Sequence, residues 1–503
     1  MAYITGMDRG QTMLLPESLE DYVASDHPVR FLDAFVEGLS LERCGFHRAR
    51  PAETGRPPFA PGDLLKLYLW GYLNRVRSSR RLEAECARNL EVIWLMRKLR
   101  PDFKTIADFR KDNTGAFKPV FRQFNLLCRD LGLFGAELVA IDGTKLKAVN
   151  NTKRNHAKEQ LREWLDRIDA RLSEFLSALD KADECEQASV QCDKSSLEQK
   201  IESLRARQQQ VQAAIEELEK NGNNEVSFTD TDSRRMHRVG VGYNAQIAVD
   251  SKHKLIVAQE VINKTTDHNQ LAAMAVEAQR TLKVESFKAV ADGGYYDHAE
   301  IAACERMGVE AYVARPREKG SSVVAGRFGK SQFSYDAEKD TYCCPGSAIL
   351  SRETEWLKDG QPHIAYSNAR ACRSCPLKAQ CTTGYYRRIT RAAGEAALER
   401  MHARLAADPA ILARRKALVE HPFGSIKFWM EARAFLMRGL AKVRAEFSLT
   451  ALAYNLKRVL NILGVKALKE RLKAALVRLA ISRQTDHSLK AHLSRSFSWP
   501  ITA

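Results

Sequence analysis

No apolar run in the 503 residues approaches the roughly 20 needed to cross a bilayer, and the opening Met1-Ala-Tyr-Ile-Thr-Gly-Met-Asp8 has no basic stretch followed by an apolar core. An intracellular chain with no membrane partner is expected. Cysteine is sparse outside one cluster: Cys44, Cys86, Cys128, Cys185, Cys192 and Cys304 stand singly, which suits reduced thiols rather than a disulfide framework. Acid is in short supply as well. Asp plus Glu number 62 against 79 Lys plus Arg, a net charge of +17 that favours a polyanionic partner through counterion release, nucleic acid first. A merely soluble basic protein remains the alternative on charge alone. The length exceeds one ordinary domain, so two to four modules are expected.

What is present is organised around Glu137-Leu-Val-Ala-Ile-Asp142-Gly-Thr-Lys145. Four apolar residues run into an acid and a glycine, the pattern of a buried strand whose carboxylate emerges at its end. Phe287-Lys-Ala-Val-Ala-Asp292-Gly293-Gly294-Tyr295 repeats the design. Two acids leaving neighbouring strand ends can hold a divalent metal.

Residues 1–130 read as helical. Pro61-Gly-Asp opens a run with apolar positions at helical spacing, Ser78-Ser-Arg-Arg81 opens a second helix through Leu82, Cys86 and Leu90, and Pro101-Asp102 a third. Lys104, Arg110 and Lys111 on that third helix would meet phosphates, unless they are only a solvated basic face. Residues 153–224 carry two apolar stripes. Leu161, Trp164, Ile168, Phe175 and Leu179 form one, and Leu197, Ile201, Leu204, Val211, Ile215 and Leu218, with Gln208 in the seam, form the other. They predict an antiparallel coiled-coil hairpin with its turn in 180–196. Gly240–Asp250 and Leu255–Ile262 then read as a β-hairpin, and Asp267-His-Asn269 as the cap of a helix through Leu271, Met274 and Val276. Strand, antiparallel pair, helix, and a strand with the second acid give the order of an RNase H-like mixed sheet, interrupted after its first strand.

Residues 315–395 have few helical signals. Cys343-Cys344-Pro-Gly lies upstream of Cys372-Arg-Ser-Cys375 and Cys381. Four soft thiolates in a small polar insert match a tetrahedral structural Zn²⁺ site held by Cys344, Cys372, Cys375 and Cys381, with Cys343 spare, because so small an insert has little core of its own. Reduced core thiols are the competing reading, and an iron–sulfur cluster a weaker one. Farther on, Glu420 and Lys427 stand seven apart. On a continuous helix they share a face with Lys416, a condition Pro422 puts in question by kinking the helix or opening a new one. Leu449–Leu463 reads as an amphipathic helix covering the sheet, and 466–503 as a basic, partly disordered tail.

Asp142-Gly-Thr, Asp292-Gly-Gly-Tyr and Glu420-His-Pro-Phe-Gly-Ser-Ile-Lys427 together resemble the three motifs of DDE-class bacterial insertion-sequence transposases, in the subgroup with a Tyr-Arg-Glu-Lys signature. Ser25-Asp-His-Pro-Val-Arg30 and the helices to about 115 look like that group's end-binding domain, and the cysteine insert like one found in some members. The first half of the signature departs: Lys416 stands for its Arg and Ala413 for its Tyr, with Arg415 a partial substitute. The resemblance implies an α/β fold with an N-terminal helical DNA-binding domain (1–130) and an RNase H-like catalytic core (131–152, 225–314 and 396–465). Into that core are set the coiled-coil hairpin (153–224) and the zinc-binding insert (315–395).

It further implies catalysis by Asp142, Asp292 and Glu420 on two Mg²⁺ or Mn²⁺ ions, with Lys427, Lys416 and Arg415 on DNA. The partners implied are double-stranded DNA, as terminal inverted repeats and target, and further copies of the chain, at least a homodimer. The setting implied is the cytoplasm, at the nucleoid. A non-catalytic DNA-binding regulator and a structure-specific RNase H-like nuclease are the alternatives.

Overall fold

A computed structural model describes residues 18–474 apart from 52, 55–56, 185–190, 223, 316–325, 359–360 and 393. Their contacts form two units, one within Met1–Leu133, Gly424–Arg433 and Ala441–Ala503, the other within Phe134–Phe423 and Ala434–Leu440.

The first unit begins with α1 (Pro28–Glu37), α2 (Pro61–Leu73), α3 (Ser79–Arg88), α4 (Leu90–Leu95), α5 (Phe103–Asp112) and α6 (Phe117–Asp130). His27 caps α1 by accepting from the Val29 N–H, and Pro28 at the first turn loses no bond there. Helix α2 is buried on every side, Lys66 included, so its one cation needs partners: Asp33 at 2.7 Å, Glu37 and Asp63 supply them. Arg110 is not a surface cation as its helical position suggested. It is buried with Nη1 3.5 Å from the Tyr72 hydroxyl and its guanidinium over the Tyr68 ring, a structural role that removes it from the phosphate-facing set.

The second unit is built on a mixed sheet. Strand β1 (Leu138–Lys147) is followed by β2 (Asn155–Ala157), which pairs with β3 (Glu225–Ser227) at the foot of two long helices, α7 (Lys158–Glu184) and α8 (Gln191–Asn221). Lys158 and Arg162, at the start of α7, both reach Glu219 near the end of α8, so the helices run antiparallel. Leu161, Ile168 and Leu172 meet Ile201, Val211, Ile215 and Leu218 between them. The joining segment 185–190 lies outside the described residues. Next come β4 (Arg234–Met236), β5 (Gly240–Asp250), β6 (Ile256–Ile262), α9 (Leu271–Leu282), β7 (Phe287–Ala291), α10 (His298–Arg306) and β8 (Val309–Val313). The sheet order is β6, β5, β1, β7, β8, with β4 on the early part of β5. Strand β5 runs antiparallel to β1 and β6, while β1, β7 and β8 run parallel.

Residues 334–392, read from sequence as a small cysteine-rich insert with few helical signals, are mostly strand. They form a second, five-stranded antiparallel sheet of β9 (Ser334–Asp336), β10 (Thr341–Cys343), β11 (Ile349–Lys358), β12 (Gln361–Ser367) and β13 (Arg388–Ala392). Two short helices, α11 (Ala369–Arg373) and α12 (Lys378–Cys381), stand between its last two strands. Phe333, Tyr342, Leu350, Tyr366 and Ile389 give it a core of its own, which corrects the expectation that it has too little burial to hold together.

Helices α13 (Glu395–Ala407) and α14 (Ile411–Gly424) complete this unit. Helix α14 runs through Pro422 and then gives way to a π-helical turn, Ser425–Trp429, in which the Met430 N–H donates back to the Ser425 carbonyl. The regular helix that the Glu420-to-Lys427 spacing requires therefore stops at Gly424. Helix α15 (Leu440–Leu463) groups from Ala441 onward with the first unit rather than with the core strands to which 396–465 was assigned. The reason is visible in its partners: Glu446, wholly buried, pairs with Arg77, and Asn455 donates to Asn125 at 2.9 Å. Of the basic tail, 465–474 is helical and 475–503 lies outside the described residues.

Candidate active site

Asp142 does not leave a strand end on both sides. On its β5 side β1 continues paired to Lys147, but on its β7 side pairing stops at Ala140 with Val290. Asp142 and Asp292 each stand two residues past that last pair, at the carboxyl ends of parallel strands where the sheet parts and a ligand can enter. The Gly143 N–H donates to Asp142 Oδ1 at 2.8 Å, and the Gly294 N–H to Asp292 Oδ1 at 2.9 Å, so each carboxylate is oriented by the glycine-bearing backbone that follows it.

Burial pushes the Asp142 carboxyl up to about 6; the neighbouring charges of Asp292 and Asp267 add to the rise, while Arg415 opposes it. Arg415, on α14, donates from Nη1 to Asp142 Oδ2 at 2.8 Å. One of the cations expected to meet DNA thus lies against a carboxylate expected to be catalytic.

Asp267 is the site residue that sequence reasoning missed. Expected to cap α9, it does not: the cap position is Gln270, which makes no side-chain capping bond. Instead Asp267 Oδ1 accepts from Lys145 Nζ at 3.1 Å, Asn244 Nδ2 at 2.8 Å and Gln246 Nε2 at 2.7 Å. The buried Tyr295 hydroxyl donates to Gln246 Oε1 and stays protonated, its pKa driven up by burial and then by Asp267, Asp142 and Asp292. Tyr295 is therefore core and unavailable to a base.

The network explains the glycines. A Cβ on Gly143 would come within 2.3 Å of Gln246 Nε2 and 2.5 Å of Asp267 Oδ1, and one on Gly294 within 3.0 Å of Asp292 Oδ1 and 3.4 Å of Asp267 Oδ2. Asn244 and Gln246 were the available signal, two amides on one face of an otherwise apolar strand, which buried must find partners.

Glu420 lies on α14, exposed, with Lys416 one turn back at 3.7 Å. Lys427 lies on the π-helical turn. Among the described residues, no three His, Cys, Asp or Glu side chains are gathered to grip one ion, so neither Asp142, Asp292 and Glu420 nor the cysteines form a closed ligand set.

Cys344, Cys372, Cys375 and Cys381 nevertheless line a single cavity of about 30 Å³ beside the second sheet, with Phe328, Phe333 and Leu350. The Ala348 N–H points at Cys344 Sγ from 3.4 Å, and a Cβ on Gly346 would touch both Cys344 and Cys375. Burial raises the Cys381 thiol, Arg387 lowers it, and the other three sulfurs raise it further. Cys343 is exposed, with its Sγ turned to the Cys344 carbonyl at 3.7 Å.

Among the described residues no helix is long and apolar enough to cross a membrane. Two protein families match the chain: a transposase domain (DUF772) over residues 17–112 and a transposase DDE domain over residues 343–460. The second match takes in the cysteines, Glu420 and Lys427, while Asp142 and Asp292 fall outside both. No curated protein matches. Among solved structures, the chain is similar to a piggyBac transposase synaptic complex with hairpin DNA at 8% identity, over 95% of this chain and 86% of that one. The TM-score is 0.29, too low for the likeness to bear on fold or function.

Proposed function

The two family matches make this chain a DDE-class insertion-sequence transposase, and from that premise we propose that it cleaves DNA at its element's terminal inverted repeats and transfers the freed 3′-OH ends to target DNA. The observation that carries the proposal is the pair Asp142 and Asp292, side by side past the last paired residues of β1 and β7. The strand order β6, β5, β1, β7, β8, with only β5 antiparallel to the central strand, supports an RNase H-like core.

Oxygen-only donors with a raised carboxyl and a guanidinium already drawn to them suit hard cations, so Asp142 and Asp292, completed by Glu420 from α14, would hold two Mg²⁺ or Mn²⁺ ions. Such ions, when bound, polarise a phosphate and stabilise both the attacking and the leaving oxygen of an in-line displacement. The chain's own groups do the rest. Asn244, Gln246 and Lys145 hold Asp267 in place behind Gly143 and so fix the backbone from which Asp142 projects. Arg415, Lys416 and Lys427 bring positive charge to phosphates flanking the cleavage point. Water attacks first and a DNA 3′-OH second, with no bond to protein at either stage.

In the first unit, the exposed Arg80, Arg81, Lys98, Arg100 and Lys104 supply a basic face for the terminal repeats. A homodimer or larger assembly would pair two ends. The four cysteines around one cavity, one of them facing a backbone N–H, fit a structural Zn²⁺ in donor type. Alanine at Asp142, Asp292 or Glu420 is expected to lower Mg²⁺-dependent end cleavage by about a thousand-fold or more, with repeat binding retained in a gel-shift assay. Full cleavage by any one of the three variants would remove that residue from the active centre.

A further inference from the structure

The network behind Gly143 uses only one oxygen of Asp267, which lies between β6 and α9. Three donors converge on Oδ1: Lys145 Nζ, Asn244 Nδ2 and Gln246 Nε2. Both amides are fixed in orientation, because the Tyr295 hydroxyl occupies Gln246 Oε1 and Gln246 Nε2 also donates to Asn244 Oδ1 at 3.0 Å. So many donors on one oxygen hold the carboxylate in a single orientation. Among the described residues none donates to Oδ2, although the side chain is only 21% exposed. That second oxygen faces Gly294. Gly294 stands in the 3-10 turn Gly293–Tyr295 and has no positive φ, so its backbone makes no demand for glycine. Clearance is what demands it. The point a Cβ would take is 3.0 Å from Asp292 Oδ1 and 3.4 Å from Asp267 Oδ2, close to hydrogen-bond reach of both. Two acceptors thus bracket a gap with room for one oxygen atom.

We infer that Asp267 Oδ2 is the acceptor for the attacking water, which it holds with Asp292 Oδ1 in the room that Gly294 leaves. Held on one side by an ammonium and two amides, the carboxylate offers its remaining lone pairs to the one place where a donor is missing. Asp142 is less free for this work, since its Oδ1 accepts from the Gly143 N–H and its Oδ2 from Arg415. In hydrolysis the water oxygen bonds to phosphorus while the bond from phosphorus to the 3′ oxygen breaks. One water proton passes to Asp267 Oδ2 and on to solvent, and the departing 3′ oxygen takes a proton from solvent. In strand transfer the DNA 3′-OH enters the same gap and gives its proton to the same oxygen. The inference rests on the reading that the chain cleaves and joins DNA. It adds to Asp142, Asp292 and Glu420 a fourth carboxylate that serves the nucleophile and is not a cation ligand.

The test is Asp267→Asn in the full chain, on a duplex carrying one element end. The amide keeps an oxygen for Lys145, Asn244 and Gln246 and turns nitrogen toward the gap, so a merely structural role would survive the change. Mg²⁺-dependent cleavage should fall about a hundred-fold at neutral pH, with circular dichroism unchanged and with Mn²⁺ affinity, read by electron paramagnetic resonance, also unchanged. The deficit against wild type should narrow as pH rises, because hydroxide needs no acceptor. Gly294→Ala fills the gap without touching the Oδ1 donors, and should slow cleavage about ten-fold or more even if Asp267→Asn fails to fold. Wild-type cleavage by either variant would overturn the inference. So would a deficit in Asp267→Asn that stays constant across pH, or a loss of its Mn²⁺ affinity. Failure of the transposase reading would show separately, as wild-type protein that leaves element ends uncut.

Discussion

At Asp142 the mixed sheet crowds carboxylates into a largely buried place, whereas beside the second sheet four cysteines surround an apolar hollow. Both arrangements present metal-ligating atoms, and they reach proximity at different cost. Burial and the neighbouring Asp292 push the Asp142 carboxyl up to about 6, and Arg415 is drawn in to offset the charge. Beside the second sheet Phe328, Phe333 and Leu350 pack around the four cysteines, with Lys378 and Arg387 also lining the cavity, and thiols as a class shed their protons only as a metal binds. The carboxylate centre is therefore set by backbone, through glycines and strand ends. The thiol pocket is set by side-chain packing on a small sheet that has its own core.

That contrast can be broken most sharply at Gly143. If backbone clearance sets the carboxylate centre, Gly143→Ala should drive its new methyl into Gln246 and Asp267 and lower end cleavage by about a hundred-fold, with the circular dichroism spectrum unchanged. Cleavage at the wild-type rate would mean that the network behind Asp142 does not position it. Cys372→Ser sharpens the other side. It should remove bound zinc, measured by elemental analysis, and make the segment around α11 and α12 sensitive to protease, while the sheet bonded through Tyr342 and Tyr366 persists. Loss of the whole insert to protease would show that metal, not burial, holds it.

The smallest expected effect lies within the second sheet. Arg388, donating to Glu353 at 2.7 and 2.9 Å, with Ser367 and Tyr386 assisting, holds that carboxyl down at about 2. A depressed carboxyl pKa contributes stability above its ordinary value of 4.5, and that contribution is lost as pH falls from there toward 2. Glu353→Gln should lower the melting temperature slightly at neutral pH and leave it unchanged near pH 2, so that the acid limb of the stability curve is flatter. An unaltered acid limb would show that the pair is fully screened by solvent.

Some elements were legible and others were not, for separable reasons. Val139-Ala-Ile141 and Ala289-Val-Ala291 announce buried parallel strands because both faces of such strands are covered, and their acids stand out against the run. Strands β9 to β13 were missed because residues such as Arg352, Glu353, Thr354 and Glu355 lie exposed on β11 and carry no apolar alternation. Asp267 was misread since an acid before a helix is ordinarily a cap, and only the sheet brings Asn244, Gln246 and Lys145 to it. Arg110 was misread because helical periodicity places a cation on a face without saying whether another element covers that face.

The sequence by itself determined the local facts. It marked which runs are strands or helices, where the acids interrupt them, that four thiols lie near one another along the chain, and that the charge is strongly basic. Only the tertiary structure decided partners. It brought Arg415 to Asp142, buried Arg110 among tyrosines and joined α15 to the N-terminal helices. The physical reason is range. Backbone propensity and hydrophobic period act over a few neighbouring residues and are written in order along the chain. Desolvation, charge pairing and steric clearance depend on what folding delivers from hundreds of residues away.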